Sequence, residues 1–372
     1  MTPAPVRCAV VGLGVLGGAA LLALARAGVD CVGLDAGRVG HADGASGGGE
    51  TRIVRTAVAG RPEHHRLLDR SRELWAGVAG GALVPCGALT AGPATDPRVR
   101  GTVFAGRTEV LGSAAAAERW PGHRLAPGDL AVFDPRGGLL DAPRATRALV
   151  DEACRAGAVV REDVTVLGIG HRRGRVVLRT VDGETVADAA VLATGRHTPL
   201  LPGRPQGIVP RRVVLSWFPV EAPERFRPGC FPPGVHTGGP VFSAFPTVDG
   251  TTVKINYQRS QPRVPDPREA HPDVEPGYAR AWAAAVAARI PGLGECPVRV
   301  ESYVEAYTAD RRGIVALAGA GPRVVTVGGF SGQGFSYAPA VGEVVAGVVR
   351  TGRGPGPAFA GSDALAGQLT PG

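Results

Sequence analysis

Lysine is almost absent from this chain: of its 41 basic side chains only Lys254 is a lysine, and arginine supplies the rest. Arginine suffices for surface charge and carboxylate pairing, whereas lysine offers a compact ammonium whose pKa is readily shifted, so a site that requires lysine would keep it. Lys254, in the run Val253-Lys254-Ile255-Asn256-Tyr257, is therefore a candidate functional residue; the alternative is a leftover lysine in an arginine-biased chain. Aromatic residues are also scarce, at 5%, and the arginines fall singly or in isolated pairs such as Arg172-Arg173, Arg211-Arg212 and Arg311-Arg312. A net charge of +8 thus comes without the basic stripe or stacking platform of a nucleic-acid binder, and suits cofactor phosphates and an acidic substrate instead. No uninterrupted apolar run approaches the roughly 18 residues of a membrane span. Glycines interrupt the N-terminal apolar stretch that could imitate a secretory signal, so a soluble cytoplasmic protein without a membrane partner is expected. Cys8, Cys31, Cys86, Cys154, Cys230 and Cys296 lie far apart, with no C-x-x-C and no histidine at zinc spacing. Reduced, mostly buried thiols and no metal are expected. His64-His65 is the sole histidine doublet, and neighbours on a helix point apart. Oligomeric state is not written in these features, with a monomer favoured.

What is present begins with glycine, 56 residues in a chain of 372, long enough for two domains. Cys8-Ala9-Val10-Val11 reads as a short buried strand, followed at once by Gly12-Leu13-Gly14-Val15-Leu16-Gly17 and an alanine/leucine helix to about Ala27. Gly12 permits the tight turn, Gly14 lets backbone approach a pyrophosphate, and Gly17 lets helix and strand pack closely. A second strand, Cys31 to Leu34, ends at Asp35, about where a carboxylate should accept from a ribose hydroxyl. Strand, turn, helix and terminal acid together predict dinucleotide binding, with Val15, Leu16, Ala36, Val164 and Thr194-Gly195 as further cofactor candidates. The fingerprint does not choose between NAD and FAD.

Beyond it come a glycine-rich loop from Gly40 to Gly49, the segment Thr51-Arg52-Ile53-Val54-Arg55, and a helix from about Pro62 to Ala79. Asp141 can cap a helix to about Ala156 that leads into the strand Ala158-Val159-Val160. A hairpin over Arg175 to Ala187 turns at Asp182-Gly183, and the strand Ala190 to Ala193 stops at Thr194-Gly195. From about Gln206 to Arg299 proline increases, with strands over Val213 to Val220 and around Lys254, a proline-rich loop from Pro262 to Pro276, and a helix from Tyr278 to Ile290. The C-terminal part returns to strand Val324 to Val327, the turn Gly328 to Gly334, and a helix from about Pro339 to Arg350.

On these motifs the chain resembles, along nearly its whole length, the FAD-dependent amine oxidases typified by monomeric sarcosine oxidase, within the D-amino acid oxidase-like superfamily. Thr51-Arg52-Ile53-Val54-Arg55 resembles that family's Thr-Arg-Ile-Ile-Arg segment beside the flavin. Gly329-Phe330-Ser331-Gly332-Gln333-Gly334-Phe335 resembles its C-terminal turn along the flavin ring, adding Gly332, Gln333, Gly334, Phe335 and Ser336 to Thr51 and Arg52 as cofactor candidates. The resemblance implies an α/β fold: a Rossmann-like FAD-binding domain, assigned to residues 1–85, 134–205 and 300–372, with a smaller mixed-sheet α+β substrate domain over 86–133 and 206–299. It implies that Lys254 activates oxygen, that Arg55 binds a substrate carboxylate, and that Tyr307 and Gln258 belong to the catalytic pocket. A fixed cation about 4 Å from oxygen's developing charge is worth on the order of 4 kcal/mol at an effective dielectric near 20.

Four departures from the family pattern stand out. Glu305 stands where a flavin-linking cysteine is expected and cannot form a thioether, and Cys296 is nine positions upstream, so FAD is expected to be non-covalent. Ser336 replaces a lysine that shares the substrate carboxylate in the family, Gln258 replaces its histidine, and Gly48-Gly49 stand about where it has a histidine doublet. The expected activity is oxidation of a secondary amine, N-alkyl or cyclic imino acid to an imine, with oxygen reduced to hydrogen peroxide. Lys254, Arg52 and Arg55 would favour the neutral amine, so that no dedicated general base is required. The alternatives are an FAD-dependent dehydrogenase or tailoring enzyme for a larger substrate, and a non-catalytic nucleotide-binding protein.

Overall fold

A computed structural model of the protein describes residues 7–40, 46–58, 64–78, 81–200, 207–258, 262–269, 274, 277–317, 323–355 and 359. The glycine fingerprint opens a six-stranded sheet ordered Ile314–Leu317, Arg323–Gly328, Ala189–Leu192, Arg7–Val11, Asp30–Leu34, Val159–Arg161, parallel except for the antiparallel Ile314–Leu317. Its strands are short apolar runs because both faces are covered. Cys8 and Val10 join the helical side with Leu21, Leu149 and Val345, while Ala9 and Val11 meet Val176, Leu178 and Ala187 of a three-stranded antiparallel layer. Helix Val15–Arg26 lies close against helix Gly334–Thr351, and a Cβ on Gly342 would come within 2.4 Å of the Ala19 carbonyl oxygen. Asp141 caps helix Ala142–Arg155 as expected, its Oδ1 accepting from the Arg144 backbone N–H at 3.0 Å.

An eight-stranded mixed sheet forms the second body, ordered Arg299–Tyr307, Val209–Pro219, Thr252–Tyr257, Phe242–Phe245, Gly234–His236, Ala88–Pro93, Asp129–Asp134, Glu109–Gly112. Two-residue alternation divides its faces. Phe218, Phe242, Val253, Ile255 and Tyr257 pack under Trp282 of helix Arg280–Ala287, while Val213, Leu215, Trp217, Tyr303 and Tyr307 turn to the opposite side. A small sheet of Thr51–Val54, Gly138–Asp141 and Leu83–Val84 lies between the bodies in chain order.

Several elements differ from the sequence reading. Strand Arg299–Tyr307 forms the edge of the eight-stranded sheet through nine register pairs with Val209 to Trp217, so we place the domain boundary after Tyr307 rather than at residue 300. Strand Val166–Arg172 completes the layer carrying the 175–187 hairpin and escaped notice because Gly168 and Gly170 break its alternation. The cysteines are unpaired, as expected, but only Cys8 and Cys31 are buried, while Cys154 and Cys296 are exposed. Residues 41–45 of the glycine-rich loop, residues 62, 63 and 79 of the expected helix, and residues 270–273, 275 and 276 of the proline-rich loop lie outside the described residues. No helix among the described residues is long and apolar enough to cross a membrane.

The eight-stranded sheet also buries a histidine pair. His123 Nδ1 lies 2.9 Å from His236 Nε2, His123 stacks on Phe231 and His236 on Phe242. Burial pushes His123 down to about 3 and His236 well below the usual histidine range, so both are neutral in the fold. The unfolded chain therefore binds more protons once pH falls below about 6.5. Stability is expected to be full above that pH and to fall as pH drops toward the folded His123 value near 3. The loss should be about 1.4 kcal/mol per pH unit for each histidine. Urea unfolding across pH checks this, and His236→Gln should show a shallower decline.

Candidate active site

The turn after the first strand has the geometry of a nucleotide cradle. Gly12 sits at φ +86°, and a Cβ there would meet the Ala193 carbonyl oxygen at 2.6 Å; one on Gly17 would overlap the Gly12 oxygen at 1.8 Å. Nothing lies within 4 Å of a Cβ on Gly14, which caps helix Val15–Arg26 without a side-chain hydrogen bond, so the positive helix end opens on free space. Val15 and Leu16 form its first turn. Asp35 is fixed at the end of the second strand, Oδ2 accepting from Leu13 N–H at 2.5 Å and Oδ1 from Gly37 N–H at 2.9 Å. Ala36 is exposed beside it, and Val164 N–H donates to the Asp35 carbonyl at 2.7 Å. Thr194 and Gly195 follow strand Ala189–Leu192, next to Ala193 against which Gly12 packs. An uncapped helix end left open at Gly14, close packing at Gly12 and Gly17, and a positioned carboxylate fit the pyrophosphate and ribose of FAD.

At the other end lies a pocket of about 920 Å³ of empty space, part of it open to solvent. Lys254, Arg52, Arg55, Tyr307, Gln258, Gly332, Gln333 and Ser336 all line it, whereas Thr51, Gly334 and Phe335 are not among its lining residues. Lys254 is 3% exposed. Its Nζ donates to Gly49 O at 2.5 Å, Thr51 O at 2.7 Å and Thr51 Oγ1 at 2.6 Å, and lies 3.9 Å from the centre of the Phe245 ring. Three acceptors match the three donors of an ammonium. Burial nonetheless pushes Lys254 well below the usual lysine range, with Arg52 and Arg299 pushing the same way and Glu50 opposing.

Arg52 is occupied by its own loop, its guanidinium donating to Thr51 O, Ser46 O and Gly48 O at 2.7, 2.5 and 2.6 Å, with the Phe335 ring centre 5.5 Å away. Gly48 and Gly49 allow this loop to close on the sheet: a Cβ on Gly48 would fall 1.9 Å from the Tyr303 ring, and one on Gly49 2.1 Å from Leu215. Arg55 differs, since its guanidinium has no hydrogen-bond acceptor among the described residues. The chain beyond it is anchored by Asp134, whose Oδ2 accepts from Thr56 N–H at 2.6 Å and Ala57 N–H at 3.2 Å. Ser336 supplies no second cation. Its hydroxyl donates to Ile53 O at 3.3 Å and accepts from Arg55 N–H at 3.4 Å.

Gln258 Nε2 donates to Ser243 Oγ at 3.1 Å, and Tyr307 Oη donates to Glu305 Oε2 at 3.2 Å. Asn256 and Glu305 were not selected from sequence, although both could have been reached by stepping two residues along a strand, from Lys254 and from Tyr307. Ser331, at φ +53°, pins the C-terminal turn to the sheet, its N–H donating to Ala306 O and its Oγ accepting from Thr308 N–H, both at 3.1 Å.

That turn is shorter than expected, because the helix begins at Gly334 and contains Pro339 rather than starting there. Proline has no N–H for the carbonyl four residues earlier, which is that of Phe335. The Trp75 indole N–H donates to this oxygen instead, at 2.8 Å, so the helix extends toward the pocket and carries Phe335 and Ser336 in its first turn. Trp75→Phe is expected to destabilise the protein by about 1–3 kcal/mol by leaving a buried carbonyl unpaired. Urea denaturation checks this, and the penalty should shrink in a Pro339→Ala background.

A nucleotide cradle on one sheet and a cation-lined pocket under another define a flavin-dependent oxidoreductase of the class that acts on amines and amino acids. Residues 7–348 match the model of the FAD dependent oxidoreductase (DAO) family, and the chain belongs to that family. Over 370 aligned residues it is 28% identical to the N-methyl-L-tryptophan oxidase of Yersinia pestis (strain Pestoides F), covering 91% of this chain and 93% of that protein. Its fold is shared with NikD, an unusual amino acid oxidase essential for nikkomycin biosynthesis, at a TM-score of 0.80 and 19% identity over 94% of this chain and 95% of that one. It is shared as well with L-proline dehydrogenase from P. horikoshii, at a TM-score of 0.79 and 20% identity over 95% of each chain.

Proposed function

We propose that the protein is an FAD-dependent oxidase of a secondary amine, an N-alkyl amino acid or a cyclic imino acid, yielding an imine and hydrogen peroxide. The observation that carries this reading is the chain's single lysine, buried on the pocket wall with its Nζ held by three oxygens of the Gly49–Thr51 loop. Bound FAD supplies the two-electron acceptor chemistry. Arg55 offers the substrate carboxylate a guanidinium that no acceptor among the described residues occupies. Asn256 on strand Thr252–Tyr257 and Gln258 just past its end line the same pocket and orient the rest of the ligand. Arg52, Arg55 and Lys254 favour the neutral over the charged amine. Lys254 then places positive charge where oxygen acquires negative charge. A cytoplasmic location and small-molecule partners, the amine and oxygen, follow from the same reading.

The single cation at Arg55 also favours a second reading, a dehydrogenase or tailoring enzyme for a larger amine, because a one-armed clamp restricts substrate size less than a pair of cations would. Lys254→Met separates the two. An oxidase should keep anaerobic flavin reduction by substrate but lose air reoxidation by roughly two to three orders of magnitude; a dehydrogenase should lose neither. Retention of FAD is assigned to the cradle alone, since Glu305 offers no thiol. Acid precipitation should therefore leave the yellow colour in the supernatant, and a yellow pellet would overturn non-covalent binding.

A further inference from the structure

Among the described residues that line the pocket, Glu305 is the only acid, set against Arg52, Arg55, Lys254 and Arg311. Strand alternation turns it inward with Tyr303 and Tyr307, and Arg211 stands directly opposite it in register on Val209–Pro219. Tyr307 Oη holds Oε2 at 3.2 Å, while Oε1 has no hydrogen-bond partner among the described residues. Gly332 keeps the approach open, because a Cβ there would stand 3.2 Å from Oε2 and 3.7 Å from the Tyr307 hydroxyl. A second polar atom on this sheet is also unmet: Asn256 Oδ1 is buried at the pocket without a hydrogen-bond donor. One free carboxylate oxygen and one orphaned amide oxygen suit a ligand that brings N–H groups.

Resting on the amine-oxidising reading, we propose that Glu305 is the catalytic proton acceptor for the substrate nitrogen. The amine enters as its ammonium, one N–H bond breaks, and the proton forms an O–H bond with Oε1. Cation and carboxylate become neutral amine and neutral acid, no electron changes hands, and the nitrogen lone pair is freed for oxidation. Burial raises the affinity of Glu305 for a proton, bringing it nearer to an amine's, while Arg52 and the Tyr307 hydrogen bond oppose the rise and favour the ionised form that must receive it. A dedicated base thus occupies the position at which the related family carries its flavin-linking cysteine.

The test mixes FAD-loaded wild type and Glu305→Gln anaerobically with sarcosine, L-proline and N-methyl-L-tryptophan from pH 6 to 10 and follows flavin bleaching at subsaturating amine. Wild type should rise with pH through the carboxyl's titration and then level off. The variant should be slower at neutral pH by about 10²–10⁴-fold and climb about tenfold per pH unit toward the free amine's pKa, so that the gap closes in base. Without amine, the absorbance of the bound flavin should show a pH step in wild type that the variant lacks. Parallel profiles displaced by a constant factor would indicate a structural role and overturn the proposal. Should the variant fail to retain FAD, a wild-type profile that climbs through the free amine's pKa with no earlier plateau overturns it equally. If none of the amines bleaches the wild-type flavin, the amine reading falls and the proton role with it; bleaching with parallel profiles removes only Glu305.

Discussion

The clasp around Lys254 joins the two halves of the molecule. The strand that carries it belongs to the eight-stranded sheet, while its three acceptors come from Gly49 and Thr51, which lead into the small sheet with Gly138–Asp141. An apolar side chain there would take one donor from Gly49 O and one from Thr51 O, which keep the Thr51 N–H and the Arg52 guanidinium, and would strip the Thr51 hydroxyl of its ammonium partner; arginine's longer planar fork would not fit three acceptors converging on one nitrogen. The same loop is held from within by Arg52, and its glycines let it lie against Tyr303 and Leu215. One contact therefore brings together Arg52, Arg55 and the sheet face that carries Asn256, Gln258 and Glu305. This explains why a chain that otherwise dispenses with lysine keeps one.

The cradle was largely legible in the sequence, and the pocket only in part, for a physical reason. Gly12, Gly14, Gly17 and Asp35 act through local backbone geometry, and strand, turn and helix follow one another within thirty residues, so spacing alone exposes them. The pocket is assembled from segments that meet only when sheets stack, and its residues were reached through family resemblance. Even then, period-two reasoning from Lys254 and Tyr307 would have added Asn256 and Glu305. The start of the last helix was obscured for another reason. Pro339 reads as a boundary, and only the remote Trp75, whose indole replaces the missing donor, makes the longer helix possible.

The departures at Gly48-Gly49 and Ser336 are linked through this packing. Side chains at 48 and 49 would collide with Tyr303 and Leu215, so the loop can approach the sheet closely only with glycine there. That approach puts Thr51 within reach of Lys254. The Ser336 hydroxyl, tied to Ile53 and the Arg55 backbone, then fastens the first turn of the last helix to the same segment instead of reaching into the pocket as a long cation would. The closed wall and the fastened Ser336 thus belong to one packing arrangement, in which the Arg55 guanidinium has no hydrogen-bond acceptor among the described residues.

Charge gives the pocket its chemical direction. With Arg52, Arg55, Lys254 and Arg311 facing it, the lining remains net positive when Lys254 is neutral and Glu305 is ionised. One unit charge at about 8 Å and an effective dielectric near 20 is worth about 2 kcal/mol, or roughly 1.5 pK units, so several such charges bring an amine's pKa within range of a buried carboxyl's. An ionised Glu305 first attracts the ammonium and would by itself stabilise it. Once it takes the proton it is neutral, its opposing field disappears, and the remaining cations act undiminished on the amine. A carboxyl at this position therefore reinforces the field after transfer, which a neutral base turned cationic would also do but without first drawing the ammonium in.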